Sequence, residues 1–190
     1  MAPILDVRNL QTHFFTKGGV LKAVDGVSFE IGAGEIVGLV GESGSGKSIT
    51  GFSILGLVDE PGRIVGGEIL FKGKDLKTLP AAEMQKMRGS SIAMIFQDPM
   101  MTLNPVLRIE TQMIEAIQTH DSSVSKDEAR QRSRDALGLV GISSPEERMR
   151  AYPHQFSGGM RQRVSIAIAM LNRPDLILSL IHISEPTRPS

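Results

Sequence analysis

Gly41-Glu42-Ser43-Gly44-Ser45-Gly46-Lys47-Ser48 sets a lysine ammonium and a serine hydroxyl directly behind a glycine-rich turn. The spacing, Gly, four residues, Gly-Lys-Ser, is the pattern of a loop that cradles phosphate. Glycines let such a loop turn tightly with its N–H groups inward, and a helix starting at its end adds a partial positive charge. Lys47 is then placed to reach the β- and γ-phosphates of a nucleoside triphosphate, and the Ser48 hydroxyl to ligate Mg2+. The loop needs a strand before it and a helix after it. Ile36-Val37-Gly38-Leu39-Val40 reads as a buried parallel strand, and Ile49 to Leu57 as the continuing helix. The plainer alternative is a Gly/Ser-rich connection with no ligand.

A second segment, Phe156-Ser157-Gly158-Gly159-Met160-Arg161-Gln162-Arg163, puts a serine and two glycines at the start of an apolar helix, Met160 to Leu171. Taken alone it could be a glycine break before a core helix. Behind a phosphate loop it resembles the signature motif of the ATP-binding subunits of ABC transporters. The resemblance covers residues 4 to about 178. It implies an α/β fold, a P-loop NTPase (RecA-like) core with an N-terminal antiparallel β subdomain and an inserted α-helical subdomain, incomplete at the C-terminus. It also implies ATP and Mg2+ as cofactors. In the family, Ser157, Gly158, Gly159 and Gln162 would meet the ATP held by a second subunit, a role that suits the orphan N–H groups of a helix start. Gly41 to Ser48 together with Ile49 would hold the chain's own nucleotide.

Ile92-Ala93-Met94-Ile95-Phe96-Gln97-Asp98-Pro99 reads as a strand leading to a glutamine in a loop. The resemblance makes Gln97 the residue that positions Mg2+ or the attacking water, with Lys47 as its catalytic companion. The stretch from Phe96 to Pro105, with Ala23-Val24-Asp25-Gly26-Val27-Ser28-Phe29 upstream, is similar to the dipeptide, oligopeptide and nickel importers. Phe14 or Phe15 stands where that family has an aromatic that stacks on adenine. An aromatic residue in a half-buried strand can equally be core, and the sequence leaves the choice between the two open.

The implied machine is a head-to-tail dimer in which the 41–48 loop of one subunit and the 157–159 signature of the other enclose ATP. Closure would drive two membrane-spanning permease subunits between inward- and outward-facing states. An extracytoplasmic substrate-binding protein would take part indirectly, and the subunit would sit peripherally on the cytoplasmic face of the membrane. A groove near Gln97 and the helices after it would receive the permease subunits.

Composition fits and adds little. A chain of 190 residues suits one domain with a sizeable core. Lys plus Arg equals Asp plus Glu at 21 each, which gives no basic excess to argue for nucleic acid. The absence of cysteine excludes disulfides and cysteine-ligated metals. No apolar stretch reaches the roughly 18 residues that span a bilayer, and the first residues do not read as a signal peptide.

Short strands are expected at Leu5 to Arg8, Val27 to Ile31 and Glu68 to Gly73, with glycines 18, 19, 32 and 34 at turns. A short helix is expected over Leu79 to Arg88. Ile109, Met113, Ile114 and Ile117 fall at helix spacing. A second helix should start at Ser125 with Glu128 completing a capping box and end at Gly141. A third should start at Ser144, with Pro145 first and Glu147 as the capping acid. The charged residues of these helices, Lys126 to Glu128 and Arg130 among them, read as a solvated face. The expected division is 1–98 for the first part of the ATP-binding domain, 99–156 for the helical subdomain, 157–178 for the signature helix and next strand, and 179–190 for a tail.

The resemblance breaks in that tail. The strand from Asn172 to Leu178 should end in a Mg2+-binding aspartate and a catalytic glutamate. Glu185-Pro186-Thr187 imitates the expected ending, but Ser184 replaces the aspartate and Glu185 lies ten residues after Asp175, too far along. Extra residues inside a buried strand would shift its register and leave backbone unpaired. Leu178 to Arg188 resembles one reading frame of a transposase-derived sequencing-library adapter. The expectation is therefore a non-native tail on a truncated chain, with His182 not a switch histidine and the chain itself inactive and prone to aggregate. Two further classes stay open: a nucleotide-binding module without turnover, and a soluble ABC ATPase acting on nucleic acid or ribosomes.

Overall fold

The computed structural model describes residues 2–181, so Glu185, His182 and Ser184 lie outside the described residues. The chain forms two compact units, one up to Arg88 and the other from Gly89 onward.

In the first unit, β1 (Leu5–Thr16) and β2 (Gly19–Ile31) form a long antiparallel hairpin, and β3 (Gly62–Phe71) and the short β4 (Lys74–Asp75) complete a sheet in the order β2-β1-β3-β4. The strands run further than the alternation of polar and apolar residues predicts. The reason is a bulge: the register slips between Val7 and Leu10, with Asn9 at φ 46 and its N–H donated to Ser28 Oγ at 2.8 Å. An extra residue flips the side-chain parity, so the apolar pattern breaks while the ladder continues. Gly67, at φ 82, lies under this bulge, where a Cβ would sit 2.4 Å from the Asn9 carbonyl oxygen.

Helix α1 (Lys47–Ile54) packs on the sheet through buried Ile54 and through a hydrogen bond between the hydroxyls of Thr12 and Ser53, 2.8 Å apart and both buried. It stops at Ile54 rather than Leu57, and Arg88 closes its end by donating to the carbonyls of Leu55 and Gly56, each at 2.8 Å. That arginine follows α2 (Ala81–Met87). Lys74, 2.7 Å from Glu83, ties β4 to α2 and holds the Glu83 carboxyl below its ordinary range.

The expected strand at Ile36–Val40 does not form. The run is irregular backbone with Ile36 99% and Val40 93% exposed. A parallel strand is held by ladders from its neighbours. Among the described residues the parallel ladder joins only β5 (Ile92–Ile95) to β6 (Leu176–Ser179), so this run is left without a partner.

The second unit is mainly helical: α3 (Ile109–Gln118), α4 (Lys126–Leu139), α5 (Pro145–Met149) and α6 (Gly158–Met170). Ile109, Met113, Ile114 and Ile117 are all buried, as their spacing requires, and they share one core with Leu137, Met149, Phe156, Val164 and Ala167. α6 therefore belongs to the same core as α3 to α5, while Ala169 packs against Ala93 and Ile95 of β5. Ser125 caps α4 by accepting the Glu128 N–H at 3.2 Å, while the Glu128 carboxylate pairs with Arg132. Ser144 does not cap α5 with its side chain. Its backbone is left-handed, φ 50 and ψ 57, which turns the hydroxyl away from the first turn, and its carbonyl accepts from Glu147 and Arg148 instead. Arg130 of the expected solvated face instead pairs with Glu110 of α3 at 3.3 Å and Glu146 of α5 at 3.0 Å. No helix among the described residues is long and apolar enough to cross a membrane.

Two outcomes are expected. Leu137→Ala, which empties a fully buried site, should cost the second unit about 2–5 kcal/mol in urea unfolding. Val40→Lys should slow concentration-dependent light scattering several-fold and leave the thermal midpoint unchanged, because an exposed uncharged run offers its edge to other chains; scattering as fast as in the parent chain would place the association elsewhere.

Candidate functional site

The loop Gly41–Gly46 runs from the irregular segment straight into α1. Its last residue, Gly46, is at φ 89, a left-handed backbone that favours glycine. A Cβ there would lie 2.2 Å from the Ala23 carbonyl oxygen, so the loop is pressed against β2 and no other residue fits. Gly46 also accepts two bonds from Thr50, from its N–H at 2.8 Å and its hydroxyl at 3.0 Å, which fixes the first turn of the helix. The loop's start is tight as well, since a Cβ on Gly41 would stand 2.6 Å from Ser45 Oγ.

Lys47 arches back over this loop. Its ammonium donates to the Gly41 carbonyl at 2.7 Å, the Glu42 carbonyl at 2.6 Å and Ser45 Oγ at 3.2 Å, using all three of its donors. Ser48 is exposed at the helix start and Ile49 is half-buried behind it. The arrangement presents N–H groups, a helix N-terminus and a cation at one exposed turn, which is chemistry for an anion. No cluster of three or more His, Asp or Glu side chains among the described residues could hold a metal unaided. A cation here would need oxygens from a ligand, and Mg2+ bound through substrate phosphates fits that condition, with the Ser48 hydroxyl in reach of the loop.

The pleat separates the two candidate aromatics. Thr12 and Phe14 point to the face that carries α1, since Thr12 bonds to Ser53; Phe15 points to the opposite face, with the Arg63 guanidinium 4.1 Å from its ring centroid.

In the second unit, Gln97 is exposed in the bend after β5. The adjacent Asp98 caps a 3-10 turn, Pro99–Met101, by accepting the Met100 N–H at 2.9 Å. This turn meets α6, where the Arg161 guanidinium donates to Met100 Sδ at 3.6 Å. Ser157 caps α6 by accepting the Met160 N–H at 3.3 Å, and Gly158 and Gly159 stand exposed in the first turn, with Gln162 half-buried one turn on. A Cβ on either glycine would meet nothing within 4 Å, and neither has a positive φ. Among the described residues nothing requires glycine at these two positions, the first two of the helix after the Ser157 cap.

Sequence reasoning missed the Ala23 carbonyl behind Gly46, the Thr12–Ser53 bond and the Arg88 cap. All are long-range partners of ordinary residues, and no local pattern marks them.

Comparison with known proteins agrees with this geometry. The family model described as ABC transporter matches residues 24–179. The oligopeptide transport ATP-binding protein AppD of Bacillus subtilis is 50% identical over 188 residues, covering 98% of this chain and 56% of that protein. The dipeptide transport ATP-binding protein DppD of Escherichia coli is 45% identical over 184 residues, 97% of this chain and 55% of that one. The chain spans about half the length of the curated relatives it matches. A dimeric ATP-binding cassette solved in a post-hydrolysis state with ADP and Pi superimposes with a TM-score of 0.82 at 27% identity, over 92% of this chain and 72% of that one. A family match across most of the chain, joined to a phosphate loop and a capped glycine helix start of the required form, means that this chain belongs to the ABC transporter family.

Proposed function

We propose that the complete protein is an ATP-binding, ATP-hydrolysing subunit that energises import of peptides or a related small solute, and that this chain carries its nucleotide-binding parts. The observation that carries the reading is the pair Gly158 and Gly159. Two exposed helix glycines for which the described residues give no internal reason suit a helix start that another molecule approaches closely. A triphosphate held by a second ATP-binding subunit is that molecule in the proposed head-to-tail dimer.

Gly41 to Ile49 would hold the chain's own nucleotide, with loop N–H groups and α1 around the phosphates and Phe14 under the base. The Lys47 ammonium, now shared among loop oxygens, would exchange them for β- and γ-phosphate oxygens. That exchange keeps the ammonium's donors bonded while its charge neutralises the transferring phosphoryl group. The Ser48 hydroxyl would hold Mg2+ beside the phosphates, and the ion would supply further charge neutralisation there. The resemblance assigns Gln97 to that ion or to the attacking water, and its exposed position in a bend suits a residue that moves. The relatives' names support peptide as cargo; two permease subunits with a substrate-binding protein as partners, and a place at the cytoplasmic face of a membrane, follow from the family resemblance alone. The division at 98, 156 and 178 and the non-native origin of residues 179–190 belong to the same proposal.

Lys47→Ala should abolish ATP binding in calorimetry while leaving the thermal midpoint within a few degrees, since its bonds are to an exposed loop; ATP binding at the parental affinity would remove the reading. Gly159→Ala should keep ATP binding, hold or slightly raise stability, and lose ATP-driven dimerisation in size-exclusion chromatography. A dimer formed as readily as by the parent chain would mean that the signature glycines face no partner.

A further inference from the structure

Phe14 stands directly opposite Gly62 in the β1–β3 ladder and opposite Leu21 in the β1–β2 ladder. A Cβ on Gly62 would fall 2.6 Å from Phe14 Cε1, 2.8 Å from Phe14 Cζ and 2.8 Å from Val58 Cγ1. The φ of Gly62 is not left-handed, so its backbone would accept alanine without strain. What requires glycine there is the ring: Phe14 is lowered onto the strand in the space a side chain would fill. Aromatic cover over a cross-strand glycine can serve the sheet alone. Two observations point to more.

Phe14 is only half-buried in this position, and it lies on the sheet face that carries α1. The phosphate loop touches the same sheet at Ala23, two residues along β2 from Leu21, which faces Phe14. Ala23 is the extra residue of a bulge in β2, since Thr12 pairs with Val24 and His13 with Lys22, so ring and loop lie at most about 7 Å apart along the strand and about 4.8 Å across to the next. A ribose and its first phosphate span such a gap, so a nucleotide anchored at Gly46 and Lys47 has its base at the Phe14 ring. Phe15, turned to the other face beneath Arg63, has no such alignment.

We infer that Gly62 is a positioning residue for the nucleotide base: by having no side chain it seats the Phe14 ring at the depth where the base stacks on it. This rests on the nucleotide-binding reading above. Gly62 touches no ligand itself and acts only through Phe14. The atoms that would move in Gly62→Ala are the far edge of the ring and one methyl of Val58, so the substitution tilts the platform and leaves the strand paired.

Calorimetric binding of ATP and of inorganic tripolyphosphate to the parent chain, Gly62→Ala, Phe14→Ala and the double variant tests this. Tripolyphosphate uses the loop alone, so it reports damage to the fold and is blind to the base. Gly62→Ala and Phe14→Ala should each weaken ATP about tenfold, the scale of one base–aromatic stack, and leave tripolyphosphate unchanged. The double variant should match Phe14→Ala, because Gly62 has nothing left to position. Parental ATP affinity in Gly62→Ala, additive losses in the double variant, or a parallel loss of tripolyphosphate would each overturn the inference. A parent chain that binds neither ligand would instead remove the nucleotide reading beneath it, and this inference with it.

Discussion

The first unit is organised around one close approach: the backbone of Gly46 against the carbonyl of Ala23. An anion site made of backbone N–H groups needs donors that are free of partners yet held still, two demands that oppose each other. Regular structure would satisfy the donors and remove the site; a free loop would leave them mobile. The contact with β2 resolves the conflict by fixing the loop at its last residue, where the chain turns into α1. The rest of the unit supports this arrangement. Thr12 and Ser53 hold the helix to β1, Arg88 closes its far end, and the hairpin supplies the surface on which the loop leans.

Lys47 follows the same logic in charge. An ammonium at an exposed turn would be solvated at no cost, yet here it is bonded to two carbonyls and a hydroxyl of the loop it serves. These neutral acceptors hold the side chain in place without cancelling its charge, whereas a carboxylate partner would lower the field that an incoming phosphate meets. The loop is thereby preorganised for an anion, and the cost of ordering it falls on folding rather than on binding.

Much of this was legible in the sequence because it depends on local pattern. The loop is defined by glycines and a lysine at fixed spacing, and α3 by four apolar residues that all became core. Failures came where a distant partner or an unusual backbone decides the outcome. Ile36–Val40 has every property of a buried strand, but strand formation needs neighbours, and among the described residues it has none. Ser144 has the side chain of a cap in a left-handed backbone that cannot deliver it. The extent of β1 was underread because the Asn9 bulge shifts side-chain parity. Which of Phe14 and Phe15 shares a sheet face with α1 could not be read locally at all: it is set by the bond between Thr12 and a serine far along the chain.

Glycine carries three different meanings in this chain, and only the structure separates them. At Gly46 the backbone conformation and the crowding both demand it. At Gly62 the conformation is ordinary and the demand comes from an aromatic ring. At Gly158 and Gly159 there is neither crowding nor special conformation among the described residues, so nothing described around them calls for glycine. A glycine that answers to nothing around it is what the proposed approach of a second subunit's nucleotide would account for. The signature helix start is thus the part of this fold that the described residues explain least, and the proposed head-to-tail dimer is the reading that gives its glycines a purpose.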